Sequence, residues 1–204
     1  MIDSARFGEV IEASVERLVG ECYRLYGTPT LGSLVIAGDD IFAVVEGIST
    51  SGLDPTRRII ARGMHVQSEA EIYQENPQIT RLLRTEVTLG VIGHRIGGET
   101  VQYLPPSPPG IHTFLRRCNE VETQEFFAGP DGGLRLGFLS SMLHSTNPIG
   151  DEVIAAVLRE AAEFSPLPNE FLRGAGRKLA GLLANDTVRL SAIIERLPLS
   201  KGQS

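Results

Sequence analysis

Tryptophan is absent, and only Lys178 and Lys201 are lysines among 19 basic residues. Cysteine is nearly as scarce. Cys22 and Cys118 cannot hold a metal cluster by themselves, and nothing in the sequence asks for an oxidising compartment, so both read as buried thiols. No apolar run approaches the roughly 18 residues that span a bilayer, and Met1–Arg6 lacks a basic start followed by an apolar core. A cytoplasmic protein is expected. Positive charge is also in short supply. The net charge is −6, with −5 on residues 1–105 and −1 on the rest, so neither half offers a polycation for a phosphate backbone, which disfavours nucleic acid as the main partner.

Complete catalytic motifs are missing as well. A P-loop needs a lysine after glycine and before serine or threonine, because that lysine reaches the β and γ phosphates. Lys178 stands between Arg177 and Leu179, and Lys201 between Ser200 and Gly202. The protein is therefore expected neither to bind ATP tightly nor to hydrolyse it; micromolar affinity by calorimetry with magnesium present contradicts this. Gly174-Ala175-Gly176 begins like a dinucleotide fingerprint, but Leu179 occupies the third glycine position and no strand precedes it, so close helix packing is the simpler reading. His65, His94, His112 and His144 include no i, i+4 pair that sets two ligands on one helix face, and no Gly-x-Ser-x-Gly elbow occurs. Asp39-Asp40 and Asp151-Glu152 read as a turn and a helix start. No catalytic, cofactor-binding or metal-ligating residue is assigned.

What is present is globular. Apolar residues make up 42% and charged residues 22%, and 204 residues can bury a real core. The first hundred residues read as short strands. Phe7, Ile11, Ala13 and Val15 alternate on one face, and Leu31–Ala37 with Ile41–Ile48 forms a hairpin across Gly38-Asp39-Asp40. Further strands are expected at Ile59–Val66, Thr85–Gly93 and Glu99–Leu104. Frequent glycines fit the corners of a small closed barrel. Residues 68–84 read as a helical insertion, broken at Asn76-Pro77 because proline cannot continue the helical hydrogen-bond ladder.

The proline-rich connector at 105–110 is the clearest boundary. Beyond it, helices are expected from Asp151, from Pro168 and from Asp186, each with an apolar stripe. The expected fold class is thus α+β. A small β-barrel with its insertion occupies residues 1–104, a mainly helical domain 111–198, and a flexible tail 199–204.

Three phrases, Phe7-Gly8-Glu9-Val10-Ile11, Leu31-Gly32-Ser33-Leu34-Val35-Ile36 and Phe42-Ala43-Val44-Val45-Glu46-Gly47-Ile48, resemble the HAS-barrel. This is the N-terminal β-barrel shared by HerA-type helicases and ATP synthase subunits. Leu89-Gly90-Val91-Ile92-Gly93 and the segment Leu104–Gly110 resemble its closing strand and proline exit. The resemblance covers about half the chain. It implies contacts between neighbours in a ring and docking of accessory proteins, while the missing P-loop leaves no basis for carrying over the family's hydrolysis.

The expected function is a non-catalytic adaptor or assembly factor without cofactors, whose partners are proteins, a ring ATPase or further copies of the chain. The basic doublets Arg57-Arg58 and Arg116-Arg117 are the candidate partner-binding residues, since paired guanidinium groups suit an acidic surface. Reversing Arg116 and Arg117 to glutamate is then expected to abolish binding at little cost in stability. The alternative is a small-molecule or enzymatic site between the two halves, with His94, Arg95 and His112 as candidate lining.

Overall fold

The computed structural model describes residues 6–129 and 133–198; the tail expected at 199–204 lies outside the described residues. Seven strands form one antiparallel sheet: β1 (Arg6–Ala13), β2 (Arg17–Cys22), β3 (Leu34–Ala37), β4 (Ile41–Gly52), β5 (Leu83–Ile96), β6 (Glu99–Val101) and β7 (Phe114–Arg117). Their order is β2-β1-β7-β3-β4-β5-β6, and a further β2–β5 pairing turns the first six into a partly closed ring. Among the described residues six helices accompany the sheet: α1 (Glu69–Glu75), α2 (Glu120–Phe127), α3 (Phe138–Leu143), α4 (Gly150–Glu163), α5 (Pro168–Leu182) and α6 (Thr187–Ile194). The protein is a mixed α+β fold. Among the described residues no helix is long and apolar enough to cross a membrane.

The ring encloses one apolar cluster, including Val10, Leu18, Val35, Ala43, Val45, Val87, Leu89 and Leu115. A second cluster lies between the sheet and the helices. Leu34, Ile36, Phe42, Val44 and Ile92 pack there with residues of α2 to α6, among them Phe126, Phe138, Ile154 and Leu158. The β3–β4 hairpin is therefore buried on both faces, with alternate residues serving the two clusters. A strand sandwiched in this way has no solvent side, which is why its sequence runs apolar without interruption.

The inward side of β1 matches the expected one only in part. Phe7 and Ala13 pack against the ring's cluster, but Val10 is fully buried while Ile11 is only half-buried, and Val15 lies beyond the strand end. Register shifts between Arg6 and Gly8 and between Val10 and Glu12 break the alternation, because each bulge moves the following side chains to the other face. Ile59–Val66 forms no strand; Gly63–His65 is a 3₁₀ turn. Its β-branched residues have no neighbouring strand to pair with and no core to face, so propensity alone does not make a strand.

The largest change concerns the boundary at the proline connector. The chain returns to the sheet after it: β7 pairs with β1 and β3, placing Leu115 inside the ring. Residues 114–117 thus belong with the strands rather than with a helical domain 111–198. The helices also share their cluster with the outer face of the sheet, so the two parts have one continuous core there.

Helix starts follow local chemistry. Asn119 caps α2 in a reciprocal capping box with Glu122, Pro168 opens α5, and Asp186 accepts from the Arg189 N–H to cap α6. Asp151 lies in the first turn of α4 and meets Arg189 at 2.7 Å instead of capping. Within 68–84, α1 ends at Asn76 and a 3₁₀ turn spans Pro77–Arg81, while residues 83 and 84 already belong to β5. A Cβ on Gly174 would stand 2.5 Å from Leu134 Cδ1, consistent with a packing role for that glycine.

Candidate functional site

Two surfaces stand out. The first begins with Glu46 on β4. The β4–β5 register shifts between Val45 and Gly47, leaving Glu46 without a directly paired residue, and its side chain lies across Gly90, where any Cβ would overlap the carboxylate. A bulge re-aims a side chain in this way, and a glycine opposite gives it room. Burial raises the Glu46 pKa above the ordinary carboxylate value, against the opposing charge of Arg17 and a hydrogen bond from Asn147.

Glu46 borders a cleft of about 650 Å³ between the ring and the turn that follows α3. Glu16, Arg17, Thr88, His144 and Asn147 contribute its polar lining. His144 has its Nδ1 2.7 Å from the Ser140 carbonyl oxygen, so that nitrogen already has a partner. The cleft pairs no nucleophile with a base, and no group of three or more metal-ligating side chains occurs among the described residues. Sequence reading passed over Glu46 because its significance lies in a bulge and in a glycine 44 positions away.

The second surface is the excursion between β4 and β5. No residue from Leu53 to Leu82 is buried. Ile59, Ile60 and Met64 are 59%, 73% and 88% exposed, which is unusual for three large apolar side chains within six positions. The excursion is held only lightly to the rest. The Tyr73 and Tyr26 hydroxyls lie 3.1 Å apart, and Arg62 donates to Asn76 Oδ1 at 3.0 Å within it.

The expected site residues distribute differently from expectation. Arg116 donates both Nη groups to Glu122, each at 2.7 Å, and Arg95 reaches the same carboxylate at 3.6 Å while donating to the Asp39 carbonyl. Chiefly through the Arg116 hydrogen bonds, the Glu122 pKa falls to about 2. Arg117 pairs with Glu160 at 2.9 Å, and Glu160 also accepts from Ser33 at 2.8 Å. This doublet fastens β7 to α2 and α4. Arg57 pairs with Asp54 at 3.3 Å on the exposed excursion, and Arg58 is exposed beside it.

None of His94, Arg95 and His112 lines the cleft described above. His94 is buried, with Nδ1 3.1 Å from the Tyr103 carbonyl. His112 adopts φ 68° at an exposed turn and meets Glu9 at 3.3 Å. Cys22 and Cys118 are both buried, with thiol pKa values raised to about 11 and about 12, primarily by burial, so neither offers a ready thiolate. No protein-family model matches the chain, and no curated protein matches it.

Proposed function

We propose that this chain is a non-catalytic docking module: a HAS-barrel-like ring, backed by helices, that presents residues 53–82 to a protein partner. The observation that carries this reading is a thirty-residue excursion with no buried residue of its own. Ordering a residue costs about 1–2 kcal/mol of backbone entropy, normally offset by burial. Here the apolar side chains that would supply it, Ile59, Ile60 and Met64, face outward. A partner surface completes the burial. The antiparallel ring and its glycine punctuation support the HAS-barrel likeness, in which the barrel serves assembly.

The test replaces residues 54–81 by a short glycine–serine turn, which leaves the Gly52–Leu83 pair able to close a hairpin. The shortened protein is expected to keep its circular dichroism spectrum and thermal transition, and to lose the proteins that co-purify with the full chain at native abundance, differently tagged copies of the chain counted among them. An unchanged set of co-purifying proteins overturns the docking reading.

The Glu46 cleft favours a second reading, a small-ligand site between ring and helices. A carboxylate kept where burial opposes its charge is a feature of functional sites. Its folded pKa is raised, so its contribution to stability is present below the unfolded value and lost as pH rises through the folded one. Glu46→Gln removes that loss. The variant is expected to melt above the wild type at pH 7, with the advantage vanishing near pH 4; equal melting temperatures at both values count against a strained carboxylate.

A further inference from the structure

We propose that the partner seated on the excursion is a second copy of this chain, docked about a two-fold axis; this rests on the docking reading above. The argument is charge segregation around an apolar centre. Arg57, Arg58 and Arg62 fall in a stretch from 55 to 68 with no acidic residue. Glu69, Glu71 and Glu75 follow in a stretch from 69 to 76 with no basic residue. Exposed Ile59, Ile60 and Met64 fall within and just after the basic stretch.

Within one molecule these two groups do not neutralise each other. Among the described residues Arg58, Arg62, Glu69, Glu71 and Glu75 form no ion pair, and Arg57 meets only Asp54. Arg62 spends a hydrogen bond on Asn76, and Glu71 accepts one from the Gln67 N–H. The two stretches, with no ion pair between them and only Arg57 held by a neighbouring carboxylate, are self-complementary. A two-fold axis brings the basic stretch of each copy against the acidic stretch of the other, since in an isologous interface residue i meets j and j meets i. The same operation places the exposed Ile59, Ile60 and Met64 of each copy within the interface and removes them from water. Charge then fixes orientation and the apolar centre supplies the bulk of the affinity.

The test uses the full chain and two charge variants, each followed by light scattering after size exclusion from about 1 to 200 μM. The wild type is expected to form a dimer whose dissociation constant rises by about tenfold between 0.1 and 0.5 M salt, because exposed charges are screened within a few ångströms at the higher value. Arg57→Glu/Arg58→Glu/Arg62→Glu and Glu69→Arg/Glu71→Arg/Glu75→Arg are each expected to be monomeric. Mixed one to one, they are expected to pair, because each then meets its opposite.

All six sites are exposed or half-buried, so both variants should fold. Ile59→Ser/Ile60→Ser, which keeps every charge and is expected to be monomeric, provides a second route should either charge variant fail to fold. A wild type that stays monomeric throughout the range overturns the second-copy inference and leaves the docking reading standing. So does a dimer that survives replacement of 54–81, or a mixture of folded charge variants that does not pair. The docking reading itself fails only if that replacement leaves the co-purifying proteins unchanged.

Discussion

Gly32→Ala is expected to destabilise the fold by about 3–5 kcal/mol, lowering the melting temperature by roughly 10 °C. Two costs combine at this position. Gly32 has φ +85°, a conformation that L side chains rarely adopt. A Cβ there would also stand 2.6 Å from the backbone carbonyl carbon of Ala156 and 2.7 Å from the Val157 nitrogen, both on α4. Helix backbone cannot yield as a side-chain tip can. The Gly32 N–H also donates to the Val45 carbonyl at 2.9 Å, so the loop cannot swing away without losing a bond to β4. Gly97→Ala is the control: φ is +60°, but nothing lies within 4 Å of the added methyl, so only the conformational cost of about 1–2 kcal/mol applies. Equal losses for the two variants in urea denaturation contradict a close approach of the loop to α4.

Arg116→Glu is expected to cost about 3–5 kcal/mol, since it leaves Glu122, with its side chain only 12% exposed, facing a like charge. Arg117→Glu adds a smaller loss at Glu160. This reverses the expectation that the doublet can be inverted at little cost: its guanidinium groups are engaged within the molecule. Arg57→Glu with Arg58→Glu, on the exposed excursion, is expected to change stability by about 0.5 kcal/mol or less. Glu122 also shapes the acid response. Its folded pKa, about 2, lies below the ordinary 4.5. The stability it contributes is present above the unfolded value and lost as pH falls from about 4.5 through 2, amounting to at most about 3 kcal/mol. Arg116→Ala should flatten the denaturation midpoint across that window. A slope as steep as the wild type's would assign the acid response to other carboxylates.

The legible parts of this fold were those whose signal is local. The β3–β4 hairpin announces itself through two apolar runs around Gly38-Asp39-Asp40, and α4, α5 and α6 through their stripes with Asp151, Pro168 and Asp186 near their starts. β2 went unread because its buried positions are Leu18, Gly20 and Cys22, a weak alternating signal, and it leans on β1 and β5 for its pairing. β7 was hidden for a related reason. Phe-Leu-Arg-Arg is short and half charged, and only pairing with residues more than 70 positions earlier makes it a strand. The proline segment before it marks a stiff connection, not the end of the sheet.

The same division runs through the candidate sites. Arg57, Arg58 and the glutamates of α1 are visible in sequence, and a run of like charge needs no fold to be seen. That Arg116 is clamped by Glu122, that Glu46 sits in a bulge over Gly90, and that Ile59 and Ile60 face outward are consequences of long-range packing. Local composition determined the antiparallel strands, the helical C-terminal part and the absence of a P-loop, because turn chemistry, periodicity and motif spacing act over a few residues. Which strands neighbour which, which charges are already paired and which apolar side chains lack cover were decided only when distant segments met, since a side chain's surroundings are set by residues far from it in the chain.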